Sequence, residues 1–243
     1  WTWGTLARIA LDQGDLDSAR RYAGEAIRAA REGPDKSTLA SALNTLGRIG
    51  WYKGDLQEAR RYFEASLDLW REVQDQEGVA LTTSCVGLIE VLGGEFARGT
   101  ALLEEGLKIC EQSFVGFSDI PLYGLAESAR RQGDAVQAVK WYSRFLRLLH
   151  ERNKRLKVPD GLEGLAMVAL AQGRHPRAVR LLGASAALRD EFGVPAKPID
   201  RGEYDLTLSR LHELLGEDEF NAQWLAGRGL GYEQAMAFAL DES

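Results

Sequence analysis

The side chains best suited to metal or acid–base chemistry in this 243-residue chain are three histidines, His150, His175 and His212. No two stand at ligand spacing, and neither cysteine lies beside one, so a tetrahedral metal site finds no ligand set. Carboxylate pairs such as Glu104-Glu105 and Asp218-Glu219 fall in helix-forming runs and read as solvated helix faces, not as a general acid and base. No nucleophile-elbow motif surrounds a serine. Cys85 and Cys110 sit singly in apolar runs, the setting of buried structural thiols. The chain is therefore expected to be no enzyme, with no catalytic residue, no metal and no cofactor.

What remains is chemistry of recognition. Lys140, Arg144, Arg147, Arg152, Lys154, Arg155 and Lys157 set seven cations against Glu151, with Trp141, Tyr142 and Phe145 interleaved. Cations with aromatics suit docking of an acidic partner; a solvated helix face running into a loop is the plainer reading. From Asp200 to Ser243 ten acidic residues against Arg201, Arg210 and Arg228 give a net −7, leaving +1 of the total −6 for the first 199 residues. A near-neutral body with an acidic tail is no nucleic-acid footprint, so direct nucleic-acid binding is not expected. No run of eighteen apolar residues exists, which argues against a membrane span, and the two lone thiols suit a reducing, cytoplasmic setting.

The elements that must position these residues emerge from a repeat. Gly14-Asp15, Gly54-Asp55, Gly94-Glu95, Gly133-Asp134 and Gly173-Arg174 recur at intervals of 40, 40, 39 and 40 residues. A left-handed glycine can end one helix where an acidic residue starts the next. Apolar residues recur at three- and four-residue spacing on both sides of each turn, as in Leu43–Ile49 and Ala59–Leu67, the mark of amphipathic helices. Small residues stand where two helices of a hairpin must touch: Ala7, Gly47, Gly87, Ala126 and Ala166 in the first helix, Ala19, Ala59, Gly99, Ala138 and Ala178 in the second. Four residues after the second set come Ala23, Phe63, Leu103, Tyr142 and Leu182. The pattern predicts helices near 1–13, 16–31, 36–53, 56–73, 77–93, 96–112, 118–132, 135–153, 160–172 and 175–192, then 199–215, 217–227 and 232–240. The third unit, with Gly93-Gly94 and Gly99, is expected to be a softer joint.

Leu46-Gly47, Ala59 and Phe63 resemble the tetratricopeptide signature, in a unit of 39–40 residues rather than the usual 34. The fold expected is all-α: a superhelical solenoid of five helix-turn-helix repeats over residues 1–197, closed by an acidic helical cap over 198–243. The first helix of each unit would then line a concave groove, placing Asn44, Arg48, Trp51, Tyr52, Tyr123, Glu127, Arg130, Arg131 and Glu163 as candidate partner-binding residues.

The wording near the end, Arg177–Ser185, Leu214–Phe220, Trp224–Arg228 and Tyr232–Ala235, is similar to the end of the repeat region in large bacterial LuxR-type regulators of the maltose-activator class and in related signalling ATPases. That resemblance implies a sensor flanked by nucleotide-binding and DNA-binding modules. The present residues hold neither a phosphate-cradling Gly-x-x-x-x-Gly-Lys-Ser/Thr loop nor a basic recognition helix. With Trp1 as first residue, the chain is expected to be a piece of such a regulator, binding a protein, peptide or small inducer. The alternative is a free-standing scaffold that self-associates through the basic stretch and acidic tail.

Overall fold

A computed structural model describes residues 3–31, 35–112 and 118–241. Trp1 and Thr2 of the first expected helix, and Glu242 and Ser243 of the acidic segment, lie outside them. Among the described residues there are thirteen α-helices and no strand. The chain divides into two compact units, residues 1–124 and 125–243.

The first unit holds three hairpins: α1 (Trp3–Asp12) with α2 (Leu16–Arg31), α3 (Lys36–Lys53) with α4 (Leu56–Glu72), and α5 (Gln76–Leu92) with α6 (Phe96–Gln112). α7 (Asp119–Arg131) follows. The expected turn chemistry is present: Gly14, Gly54 and Gly94 have φ of 79°, 85° and 90°, where a side chain would be strained. The next residue caps the following helix, with the Asp15 and Asp55 carboxylates accepting from the Ser18 and Glu58 amides at 3.0 and 2.9 Å. Asp35 and Asp75 do the same between hairpins, bonding the Thr38 and Gly78 amides.

The small residues lie where backbones approach. A Cβ on Gly47 would sit 2.6 Å from two ring carbons of Phe63, so the missing side chain makes room for the large one four positions past Ala59. Ala7, Leu11, Ala19, Ala23, Leu46 and Ile49 form one buried cluster, and Ala59, Phe63, Cys85, Val86 and Ile89 another. Where a softer joint is expected, the third hairpin packs its helices closely. A Cβ on Gly87 would meet the Gly99 carbonyl at 2.9 Å, and one on Gly99 would meet the Gly87 carbonyl at 2.8 Å. The paired glycines bring the two backbones together, which favours dense packing.

The second unit contains α8 (Ala135–Glu151), α9 (Val158–Ala171), α10 (His175–Phe192), α11 (Pro198–Leu215), α12 (Glu217–Arg228) and α13 (Tyr232–Leu240). Gly133 and Gly173 repeat the left-handed turn at φ 79° and 74°. Where the pattern predicts a helix to 153 and another from 160, α8 ends at Glu151, a 3-10 turn spans Arg155–Lys157, and α9 starts at Val158. Pro159 causes the early start, because its missing N–H costs nothing in the first turn. α12 lies against α10 at a second glycine contact: a Cβ on Gly183 would meet the Trp224 carbonyl at 2.5 Å, while Gly227 faces the Arg180 carbonyl.

Candidate interaction surfaces

The first-helix candidates divide by burial. In the first unit Asn44 is buried, and its amide Nδ2 donates to Thr82 Oγ1 at 3.0 Å, tying α3 to α5, the first helices of successive hairpins. Arg48, Trp51 and Tyr52 are half-buried in the last turns of α3. Trp51 and Tyr52 meet edge to face with centroids 5.3 Å apart, Trp51 packing on the Phe63 cluster and Tyr52 on the Leu11–Ile49 cluster. Each aromatic is thus anchored by the core and partly open, a pre-ordered contact element that loses little entropy on binding. Tyr123 is also half-buried.

In the second unit the polar candidates form closed networks. Glu127 is buried and accepts from Arg130 at 2.8 Å, from Arg131 at 3.1 Å and from the Tyr142 hydroxyl. Burial pushes its carboxyl up, but the two guanidiniums and the hydroxyl outweigh that and hold it below the usual range. Burial, followed by the Glu127 charge, drives the Tyr142 hydroxyl well above its ordinary value. Arg130 reaches across to Glu203 of α11 at 2.6 Å, and Arg131 lies 3.5 Å from the same carboxylate. Glu163 is buried on α9, accepting from Ser185 at 2.6 Å and Arg189 at 2.8 Å. Glu127 and Arg130 therefore spend their polar atoms within α7 and on Tyr142 and Glu203, and Glu163 spends its own on α10, while Arg131 is paired with Glu127 and Glu203 but keeps an exposed surface.

Several residues in these networks escaped the sequence reading. Asp160 accepts from Arg189 at 2.8 Å and from Lys197 at 2.5 Å. Burial raises its carboxyl, but Lys197 and Arg189 more than reverse the effect and hold it low. Asp200, 3.8 Å from Lys197, goes the other way: burial and the nearby Asp160, Glu127 and Glu163 carboxylates exceed the pull of Lys197 and raise it to about 6. In the first unit Glu90 is fully buried on α5 and pairs with Arg60 at 2.5 Å and Arg98 at 3.3 Å, from the second helices on either side. The available signal was a lone acid in an apolar run, Cys85–Leu92. A removed partner would leave a buried charge, so such ties fix which helix packs on which.

The basic stretch is not one face. Lys140, Arg144 and Arg147 are exposed along α8, with Lys140 and Arg144 6.0 and 5.7 Å from the Trp141 ring centre. Tyr142 and Phe145 are buried in the core and lend no aromatic surface. Arg152 is exposed, while Lys154 and Lys157 are half-buried beyond the helix end. Arg155 lies 4.5 Å over the Tyr232 ring and donates to Asn153 at 3.0 Å; His150 stacks on that ring from α8. The turn thus clasps α13. Among the described residues no group of three His, Cys, Asp or Glu side chains could hold a metal, and no helix is long and apolar enough to cross a membrane.

Comparison with known proteins agrees with this architecture. Residues 1–72 match the tetratricopeptide repeat family. Proteins named HTH-type transcriptional regulators, one from Mycobacterium bovis and two from Mycobacterium tuberculosis strains, are each 37% identical over 82 residues. That segment is 34% of this chain and only 9% of each relative. Among solved structures, the chain is similar to a signal transduction ATPase with numerous domains, carrying a tetratricopeptide repeat sensor, from Pyrococcus horikoshii: TM-score 0.56 at 17% identity, over 97% of this chain and 38% of that one. BtubC from P. vanneervenii gives a TM-score of 0.58 at 16% identity, over 92% of this chain and 89% of that one. At such identities the likeness shows the fold alone, and that fold is an all-α repeat solenoid of tetratricopeptide type.

Proposed function

We propose that this chain is a non-catalytic repeat domain that recognises a protein, peptide or inducer for a bacterial signalling or transcription regulator, and that its contact surface in the first unit is the end of α3. The observation that carries this reading is the group Arg48, Trp51 and Tyr52: two core-anchored, half-open aromatics beside a guanidinium, residue types that dominate interface energetics. The regulator setting draws support from the partial likeness to the mycobacterial regulators and from the sensor of the signal transduction ATPase. The LuxR-type assignment and a cytoplasmic setting belong to the same proposal, as does a division at residues 197/198 into repeats and a terminal cap. In the second unit Tyr142, Ser185 and α11 take up most polar candidates, and Arg131, though paired with Glu127 and Glu203, is the one that keeps exposed surface to contribute.

A random-peptide library panned against the whole chain supplies the test. The selected peptide is expected to bind the Arg48→Ala/Trp51→Ala/Tyr52→Ala variant at least tenfold more weakly, with the helical circular dichroism unchanged. Equal affinity would remove α3 as the contact surface.

The second reading, a self-associating adaptor, draws on the large apolar side chains left open on the acidic helices: Leu206 is 73% and Leu225 67% exposed. Sedimentation of the whole chain and of Leu206→Glu/Leu225→Glu separates the two: association that persists at high salt and is lost in the variant supports contact through these leucines, and a monomer at every salt concentration removes it.

A further inference from the structure

Within the second unit α8, α9, the start of α10 and Ala239 of α13 border a half-open hollow of about 430 Å³, inside the size range of small-ligand pockets. Its floor is apolar, made by Val139, Leu165, Val168 and Ala169. Its rim is cationic, with Lys140 and Arg147 from α8 facing Arg174 and Arg177 at the other side. No carboxylate lines it. Lys140, Arg147 and Arg174 are exposed and form no ion pair among the described residues. Arg177 is fixed in place by donating to the carbonyls of Phe238, Ala239 and Asp241 at the end of α13. Burial and the adjacent Arg174 hold its guanidinium below the ordinary value, against the pull of Asp241 from beyond the hollow.

The second observation is independent of charge. Ser143 lines the hollow, is 1% exposed, and its hydroxyl has no hydrogen-bond partner. A serine in mid-helix ordinarily bonds the carbonyl four residues back or meets water, and a buried hydroxyl left unpaired costs about 1–3 kcal/mol. A donor without an acceptor, beneath a ring of cations without anions, fits the same missing group. A neighbouring hollow of about 470 Å³ offers less, because Arg180 there is spent on Gln223 and both Arg177 and Arg180 lie over the Phe238 ring.

The geometry points to a binding site for a small organic anion with an apolar body: the anionic group would meet Ser143 and the rim cations, and the body would cover Val139 and Leu165. This site lies on α8 and the following hairpin, shares no residue with the α3 surface, and does not depend on that surface being a contact.

The test uses the whole chain and 8-anilinonaphthalene-1-sulfonate, a fluorescent anion with an apolar body. One saturable site is expected, emptied by decanoate but not by decanol. The Arg147→Glu/Arg174→Glu variant should weaken the dye at least tenfold, and Arg147→Gln/Arg174→Gln severalfold, with thermal melting unchanged in the latter. Arg71→Glu, exposed on the first unit, should leave binding as it was. Lack of a saturable site, equal dye affinity in the Gln variant, or displacement by decanol as strong as by decanoate would overturn the assignment. Displacement by a polyglutamate peptide without displacement by decanoate would also overturn it, giving the rim to an acidic protein segment instead.

Discussion

Opposite behaviour of neighbouring carboxylates marks the residue scale. Glu127 and Asp160 are held low by guanidinium and ammonium partners, so their contribution is present above pH about 4 and is lost as acid protonates them. Asp200, raised to about 6 chiefly by burial, works in the other direction. Its folded form holds a proton more tightly than the unfolded one, so its contribution is full below about 3.8 and is lost as pH rises through about 6. Asp200→Asn is therefore expected to stabilise the second unit at pH 8 by about 2–3 kcal/mol, the cost of ionising a carboxyl held near 6 against a free value of 3.8, with the pull of Lys197 already included. The gain should fade as pH falls towards 4. Urea unfolding of both proteins from pH 4 to 8 checks this; a constant difference across that range would contradict the raised carboxyl.

At the scale of the element, glycine placement governs how closely helices pair. Gly47→Ala gains about 1 kcal/mol of helix propensity, but its Cβ would stand 2.6 Å from the fully buried Phe63 ring, which has nowhere to swing. Overpacking of this kind costs about 1–3 kcal/mol, so the net effect should be destabilising. Gly24→Ala, with open space around the new Cβ, should stabilise by up to about 1 kcal/mol. Thermal melts of the two variants should move in opposite directions, and a shared direction would refute the packing argument. Hairpin positions, left-handed turns and the small–large rule were all legible in the sequence, because each follows from spacing within one repeat. The tie between Arg130 and Glu203, 73 residues apart, and the three-residue network on Glu90 were not legible. They depend on which helices meet, and charge in a helix looks the same whether it faces water or a partner. For that reason Asn44, Glu127 and Glu163 read as groove residues although their polar atoms are taken up inside the fold, by Thr82, by Arg130, Arg131 and Tyr142, and by Ser185 and Arg189.

For the whole molecule, the sequence repeat and the fold agree on an all-α tetratricopeptide-type scaffold, and stability in such arrays is carried by neighbour contacts rather than a single central core. A scaffold of this kind offers surfaces at defined elements while the packing beneath remains fixed. Recognition in the first unit is proposed to use the end of α3. Hydrogen exchange, with and without the library-selected peptide, reads it most directly, since a bound ligand slows exchange where it suppresses opening. Slowed exchange concentrated at residues 44–53, with α4 and the second helices of other hairpins unchanged, is the predicted result. Slowing confined to other helices, or none at saturating peptide, would contradict it.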